Sequence, residues 1–334
     1  MIDIDFRALP DLAVRNLGGA VVHANDEAFA VRENLITPGP AVFDPSTFGP
    51  KGKVYDGWET RRRREPGHDE AVVRLGAPGI VRGVVVDTSW FTGNYPPEAS
   101  VEGIALDGHP SVGDLLAADG WHTLVARTAI KGDTENDFAV RSTRRVTHVR
   151  LRIHPDGGVA RLRVHGEALP DPALLDALGT VDLAALEHGG VVTGCSNLFY
   201  SSPNNLLLPG PARSMGEGWE TARRRDDGND FVEVALPAEG TVAVAELDTS
   251  WFLHNAPGRA SLRGRAGEGE WVDLLPRTPL LPDTRHRFVL ADAPPVDRVR
   301  LDVFPDGGMA RLRLHGTPTD AGRAELERRW TAAR

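Results

Sequence analysis

The chain has 334 residues and a formal charge of −9, from 38 basic and 47 acidic side chains, which disfavours nonspecific binding to nucleic acid or an anionic membrane. Its 41% hydrophobic and 25% charged composition supports a globular core, and a single cysteine, Cys195, excludes an internal disulfide and fits a reducing compartment. Apolar runs fall far short of the roughly 20 residues of a membrane span, and the N-terminal MIDIDFRALPDL carries acids where a secretion signal carries bases, so a cytoplasmic protein with no membrane and no nucleic-acid partner is expected.

Taken in order, the elements occur twice. DLA (11–13) returns at 182–184, GG (18–19) at 189–190, and NLITPGP (34–40) as NLLLPGP (205–211), all displaced by 171 residues. GWETRRRR (57–64) returns as GWETARRR (218–225) and DTSWF (87–91) returns unchanged at 248–252, both displaced by 161. LRIHPDGGVARLRVHG (151–166) returns as LDVFPDGGMARLRLHG (301–316), displaced by 150. The displacement shrinks only between matched blocks, where loops tolerate shortening. A unit of this length is a domain and not a solenoid repeat, which predicts two homologous domains, 1–170 and 171–334.

Each copy reads as β. AVVRLG (71–76), IVRGVVVDTSWF (80–91), HTLVART (122–128), THVRLRIH (147–154) and ARLRVHG (160–166) are rich in valine, threonine and aromatics and are cut by Gly, Pro and Asp. HPDGGVA between two strands predicts a short hairpin, because proline presets one dihedral and Asp-Gly accepts positive φ. Helical periodicity is confined to 173–189 and 320–330. The expectation is an all-β fold: a tandem duplication of a β-sandwich or jelly-roll domain with few short helices.

The repeated polar positions carry the functional signal. Trp58 to Arg64 reads as a strand with Glu59, Arg61 and Arg63 on one side and Trp58, Thr60, Arg62 and Arg64 on the other. A carboxylate among guanidiniums suits recognition of a planar anion, since the arginine fork binds carboxylate bidentately; an internal ion-pair ladder is the competing reading. DTSWF ends a valine-rich strand in both copies and is followed by Asn94 or Asn255, so Asp87, Thr88 and Asn94 could read an amide-like group, or Asp and Thr could simply cap the turn. His154 faces Phe304 in the second copy, which favours a function confined to the first. Asp156 and Asp306 are read as turn residues. No His-x-x-x-His, His-x-His or cysteine cluster defines a metal site, so no cofactor is expected, and a divalent metal held by scattered His and Asp has no motif behind it. A phosphate loop and a G-x-S-x-G elbow are also missing, and the arginine runs lack the interleaved aromatics of a single-strand platform.

NLITPGP, GWETRRRR followed by GHD, VVDTSWFTGNYP, HPDGGVARLRVHG and their second-copy counterparts together resemble the allantoicase family, from about residue 11 to 316. Two departures stand out: Glu70 follows GHD where the family usually has an aromatic, and TGNYP becomes LHNAP. The resemblance implies two jelly-roll domains, a homo-oligomer, and hydrolysis of allantoate to ureidoglycolate and urea in purine breakdown and nitrogen use. On that reading Glu59, Asp87, His154, Glu220 and Asp248 are the catalytic candidates. Arg62, Thr88, Asn94, Arg224 and Asn255 are the substrate-binding ones. The alternative is a non-catalytic tandem β-sandwich binding a small polar ligand such as a sugar. Against it, carbohydrate platforms expose aromatics, whereas the repeated aromatics here are read as lying within strands.

Overall fold

A computed structural model describes residues 5–334; the first four residues of the N-terminal segment MIDIDFRALPDL lie outside them. Two compact units divide the chain, one running to Glu167 with Ala333–Arg334 added, the other Ala168–Ala332. Each is a two-layered β-sandwich, all strands pairing antiparallel.

In the first unit everything hangs on one 19-residue strand, Asp69–Asp87. Its first half pairs with Ala20–Ala24 on one side and Arg145–His154 on the other, and that layer continues through Glu98–Ile104 to His122–Ala129. Its second half pairs with Glu135–Ala139 and Arg161–Ala168. Between the halves the register slips from Arg74↔His148 to Gly79↔Val146. This bend, at LGAPG, lets one strand serve both layers. Sequence patterning split it into two strands, because Gly and Pro interrupt the alternation that the continuous backbone does not interrupt. Val73, Val84, Val86, Val149, Leu151, Leu162 and Val164 are fully buried between the layers, each contributing about 1.5–3 kcal/mol by leaving water.

The second unit repeats the plan around Asp230–Asp248, which slips from Ala235↔Arg298 to Gly240↔Val296. The helical reading of 173–189 divides in the structure. Pro172–Leu178 is a helix that stops at Gly179, whose φ of 73° and ψ of −84° leave the helical region, and Val181–Asp182 is already strand. A short helix at Val112–Ala117, capped by Ser111 on the Asp114 N–H, carried too little periodicity to be read.

The repeated charged strings have a structural share. Arg161, 1% exposed, donates to the carbonyls of Gly39, Asp56 and Ala160 and to Asp56 Oδ2 at 2.6 Å. Arg311 does the same with Gly210, Glu217 and Ala310. ARLR therefore fastens the NLxxPGP loop, because a guanidinium offers five donors to carbonyls that have lost their water. Asn34 and Asn205 add a bond each, to Gly57 and Gly218.

The PDGG hairpin holds the loop that carries Asn94. Both X-Pro bonds, His154–Pro155 and Phe304–Pro305, are cis. Gly157 has φ +144°, and a Cβ there would stand 2.6 Å from Pro96 N and 2.8 Å from Asn94 O. A Cβ on Gly158 would enter the Phe91 ring, 2.0 Å from Cε1. Gly307 and Gly308 meet the same obstacles at Pro257, Asn255 and Phe252. Gly157→Ala is therefore expected to lower stability by about 1–3 kcal/mol and to displace the Asn94 loop; urea denaturation and a crystal structure of the variant check the two effects.

Candidate active site

GWET begins as strand and then departs from it. Trp58–Glu59 pairs with Gly158–Val159 of the hairpin, with Trp58 fully buried and its Nε1 donating to Asp26 O at 2.8 Å. Thr60 is also buried: its N–H donates to Gly157 O, and its hydroxyl accepts the Gly157 N–H at 3.2 Å. The arginines that follow are not in a strand, so the expected alternation of faces does not extend to them. Arg61 Nε meets Asp26 Oδ2 at 2.6 Å. Arg63 Nη1 meets the buried Asp69 Oδ1 at 2.7 Å, and its N–H donates to Asp156 Oδ2 at 2.8 Å. The ion-pair reading thus describes Arg61 and Arg63. It does not describe Arg62, which is exposed and makes no hydrogen bond or ion pair with any described residue.

Glu59 and Asn94 are brought into direct contact. Asn94 Nδ2 donates to Glu59 Oε1 at 2.6 Å, while Asn94 O accepts the Gly158 N–H at 2.7 Å, so hairpin, loop and strand are locked together. Burial pushes the Glu59 carboxyl above the usual range, and the Asn94 amide draws it part of the way back. Glu59, Arg62 and Asn94 line one cavity of about 370 Å³ together with Phe29, Tyr95 and Asp156. Such a volume suits a small polar molecule.

Other sequence candidates lie elsewhere. Thr88 is fully buried, its hydroxyl 2.7 Å from Lys131 O and 2.9 Å from Thr134 O. Asp87 Oδ1 accepts from Ser89 N and Oγ, and its carbonyl accepts the Ala160 N–H. Both close the turn in which Trp90 adopts φ 71°. His154 is half-buried with Nε2 3.1 Å from Ser100 Oγ, its ring 5.5 Å from that of His68; burial, then Arg127 and His68, hold its pKa below the ordinary value. None of the three lines the cavity.

In the second repeat Asn255 Nδ2 donates to Glu220 Oε1, again at 2.6 Å. Arg224 is the counterpart of Arg63, not of Arg62: it pairs with the fully buried Asp230 at 2.8 Å and with Asp226 at 2.9 Å. The position equivalent to Arg62 is Arg223, which the sequence reading passed over. Asp248 is buried and accepts from Ser250 N, like Asp87. Around the pair the repeat has drifted: Ala256 replaces Tyr95, and Met215 Sδ lies 3.4 Å from Asn255 Nδ2. Tyr95 and Phe29 were also missed as cavity residues; the change of Tyr95 to Ala256 between copies was the signal that could have found the first.

The aromatic argument is corrected at one position. Phe91, Phe252, Trp58 and Trp219 are buried, whereas Trp90 and Trp251 are about half exposed, each with Nε1 donating to a carbonyl, of Ala41 and Ala212, at 2.9 Å. Among the described residues no three His, Cys, Asp or Glu side chains gather as metal ligands would.

The sequence matches the family model described as allantoicase repeat at residues 10–169 and again at 181–319. It is 61% identical over 313 residues to a probable allantoicase of Nocardia farcinica, spanning 93% of this chain and 95% of that one. With the allantoicase of Dictyostelium discoideum it shares 39% identity, over 93% of this chain and 88% of that one. The solved allantoicase of Saccharomyces cerevisiae has a TM-score of 0.81 and 31% identity, covering 93% and 96% of the two chains.

The raised Glu59 carboxyl has a stability consequence. The folded protein holds its proton to higher pH than the unfolded chain does, so this group's contribution falls as pH rises from the unfolded value through the folded one. Glu59→Gln keeps the oxygen that accepts from Asn94 and removes the charge. Its denaturation midpoint at pH 7 is expected to match or exceed that of the wild type, with the gap closing on acidification; a lower midpoint at pH 7 would contradict the burial argument.

Proposed function

The chain belongs to the allantoicase family, hydrolases of the C–N bonds of linear amidines, and we propose that its reaction, allantoate to ureidoglycolate and urea, takes place in the Glu59–Arg62–Asn94 cavity. The observation carrying this reading is the juxtaposition, in one small cavity, of a guanidinium unpaired among the described residues with a carboxyl whose pKa burial raises. Allantoate presents a carboxylate and two ureido arms on one carbon, and each has a complement there. Arg62 takes the carboxylate through its fork. Asn94, fixed by its bond to Glu59, offers Oδ1 to a ureido N–H.

With Oε1 occupied by Asn94, Glu59 acts through Oε2. Protonated, it gives its proton to the nitrogen of one ureido arm as the bond from that nitrogen to the central carbon breaks. The bonding pair leaves with urea, and the lone pair of the remaining ureido nitrogen closes a C=N bond to the central carbon. Water then adds to that carbon, the C=N pair returns to nitrogen, and the now ionised Glu59 takes the water proton. Ureidoglycolate forms and Glu59 ends protonated, as it began. One carboxyl serves as acid and then as base, which requires a pKa nearer neutrality than that of an exposed glutamate. Burial supplies the shift.

A metal has no part in this scheme, so urea release is expected to survive exhaustive chelation. Placement of the step in purine breakdown, a cytoplasmic location and assembly into homo-oligomers belong to the same proposal, supported by the family resemblance and the acidic, single-cysteine composition.

Glu59→Gln is expected to lower kcat by about 10²-fold or more, the range for loss of a general acid–base group, while Arg62→Ala raises KM more than it lowers kcat. His154→Asn leaves kcat close to wild type. Wild-type kcat/KM falls as pH rises through the Glu59 pKa, because the first step needs the protonated form. Steady-state urea release across pH checks all four; an active Glu59→Gln enzyme sinks the assignment.

A further inference from the structure

The layers built on the second halves of the two long strands carry opposite charges on matched positions. In the first, Arg7 lies against the strand Glu135–Ala139: Nη1 donates to Glu135 Oε2 at 2.7 Å, Nε to Asp137 Oδ2 at 3.0 Å and Nη2 to Asp137 Oδ1 at 2.5 Å. The neighbouring Phe6 ring packs over Gly83, where a Cβ would come within 2.1 Å of it, and Leu9 O meets His165 Nδ1 at 2.8 Å. That face is covered by its own chain.

In the second repeat DTENDF has become DTRHRF, so Arg285 and Arg287 stand where Glu135 and Asp137 do. Val244 replaces Gly83 and fills the place that admits the Phe6 ring. A groove of about 290 Å³ results, lined by Glu246, Asp248, Arg285, Arg287, Arg311 and Arg313 among others. Four guanidiniums face two carboxylates. Two of the four are engaged with the backbone: Arg311 as described above, and Arg313 with the carbonyls of Leu208 and Gly210. The other two are held but not satisfied. Glu246, nearly buried, has Oε1 3.3 Å from Arg285 Nε and accepts from Arg287 Nε on Oε2 at 2.8 Å. The terminal nitrogens of both arginines make no hydrogen bond with a described residue. Two residues apart on one strand, the side chains share a face, and the buried Glu246 anchors both by the nitrogen nearest the backbone, with Asp248 Oδ2 also 3.8 Å from Arg285 Nε. This leaves two forks positioned and unfilled. Burial, and after it the neighbouring Arg313, lowers the Arg311 pKa to about 10.

We propose that this groove binds a small dianion, a dicarboxylate or phosphate, between the terminal nitrogens of Arg285 and Arg287. Planar oxyanions match the guanidinium fork bidentately, and the pre-set side chains reduce the ordering cost of binding. The site is independent of the Glu59 reading, since no residue is common to the two cavities.

Isothermal titration of the full chain with malonate and, separately, with inorganic phosphate tests it. Saturable binding of either is expected, weakened about tenfold or more in Arg285→Glu/Arg287→Asp, which restores the first-repeat charges, while urea release stays near wild type. Because two carboxylates beside Glu246 could unfold that variant, Arg285→Gln/Arg287→Gln, which leaves amide donors for Glu246, is measured alongside and is expected to weaken binding as well. Undiminished binding in a folded variant, no binding at all, or binding that disappears in Arg62→Ala instead would overturn the proposal. Capture of a glutamate-rich peptide with no affinity for either small anion would also overturn it, by making the groove a protein-docking surface.

Discussion

The site depends on the absence of two side chains. Gly157 and Gly158 let the hairpin backbone lie directly against Asn94–Pro96 and the Phe91 ring, at separations no Cβ could enter. That contact sets the height of the Asn94 loop above the Trp58–Glu59 strand, and the 2.6 Å bond to Glu59 follows from it. Everything chemical in the cavity is downstream. The bond fixes one carboxylate oxygen, burial keeps the other protonated to higher pH, and Arg62 is left without a competing acid. Asp26 and Asp69 take the guanidiniums on either side of it, Arg61 and Arg63.

The duplication works as an internal control on these arguments. What both copies share is backbone engineering: the glycine pair, the buried tryptophan, the arginine that fastens the NLxxPGP loop, and the glutamate–asparagine bond with the same length. What differs is the rim. Tyr95 against Ala256, and the approach of Met215 to Asn255, change the space around an unchanged pair. A duplicated scaffold kept its framework and let one set of walls diverge, which is the pattern expected when geometry is a folding requirement and ligand contact is not.

Much of this was legible before any coordinates. The duplication and the β character followed from strings and spacing, because Gly-Gly, Asp-Gly and valine runs act locally on the backbone; the glutamate–asparagine bond did not, since the sequence grouped Glu59 with the arginines and Asn94 with Asp87 and Thr88. Register within the arginine run was not. The 161-residue displacement pairs Arg62 with Arg223 and Arg63 with Arg224, but an expected strand alternation that the backbone does not follow hid which arginine each buried acid holds, Asp69 taking Arg63 and Asp230 taking Arg224. Asp87 and Thr88 looked equally suited to ligand or turn, and burial decides that Thr88 serves the turn. The bend in Asp69–Asp87 and the short helix at Val112–Ala117 escaped because tertiary pairing, not local pattern, sustains them.

The most direct test of the central claim is a crystal structure of the Glu59→Gln protein soaked with allantoate. The account predicts the substrate carboxylate on the Arg62 guanidinium, a ureido nitrogen within hydrogen-bond reach of residue 59, and the Asn94 side chain in place beside it. Allantoate bound at Glu220 and Arg223 with the Arg62 cavity empty, or bound clear of both glutamates, would contradict it.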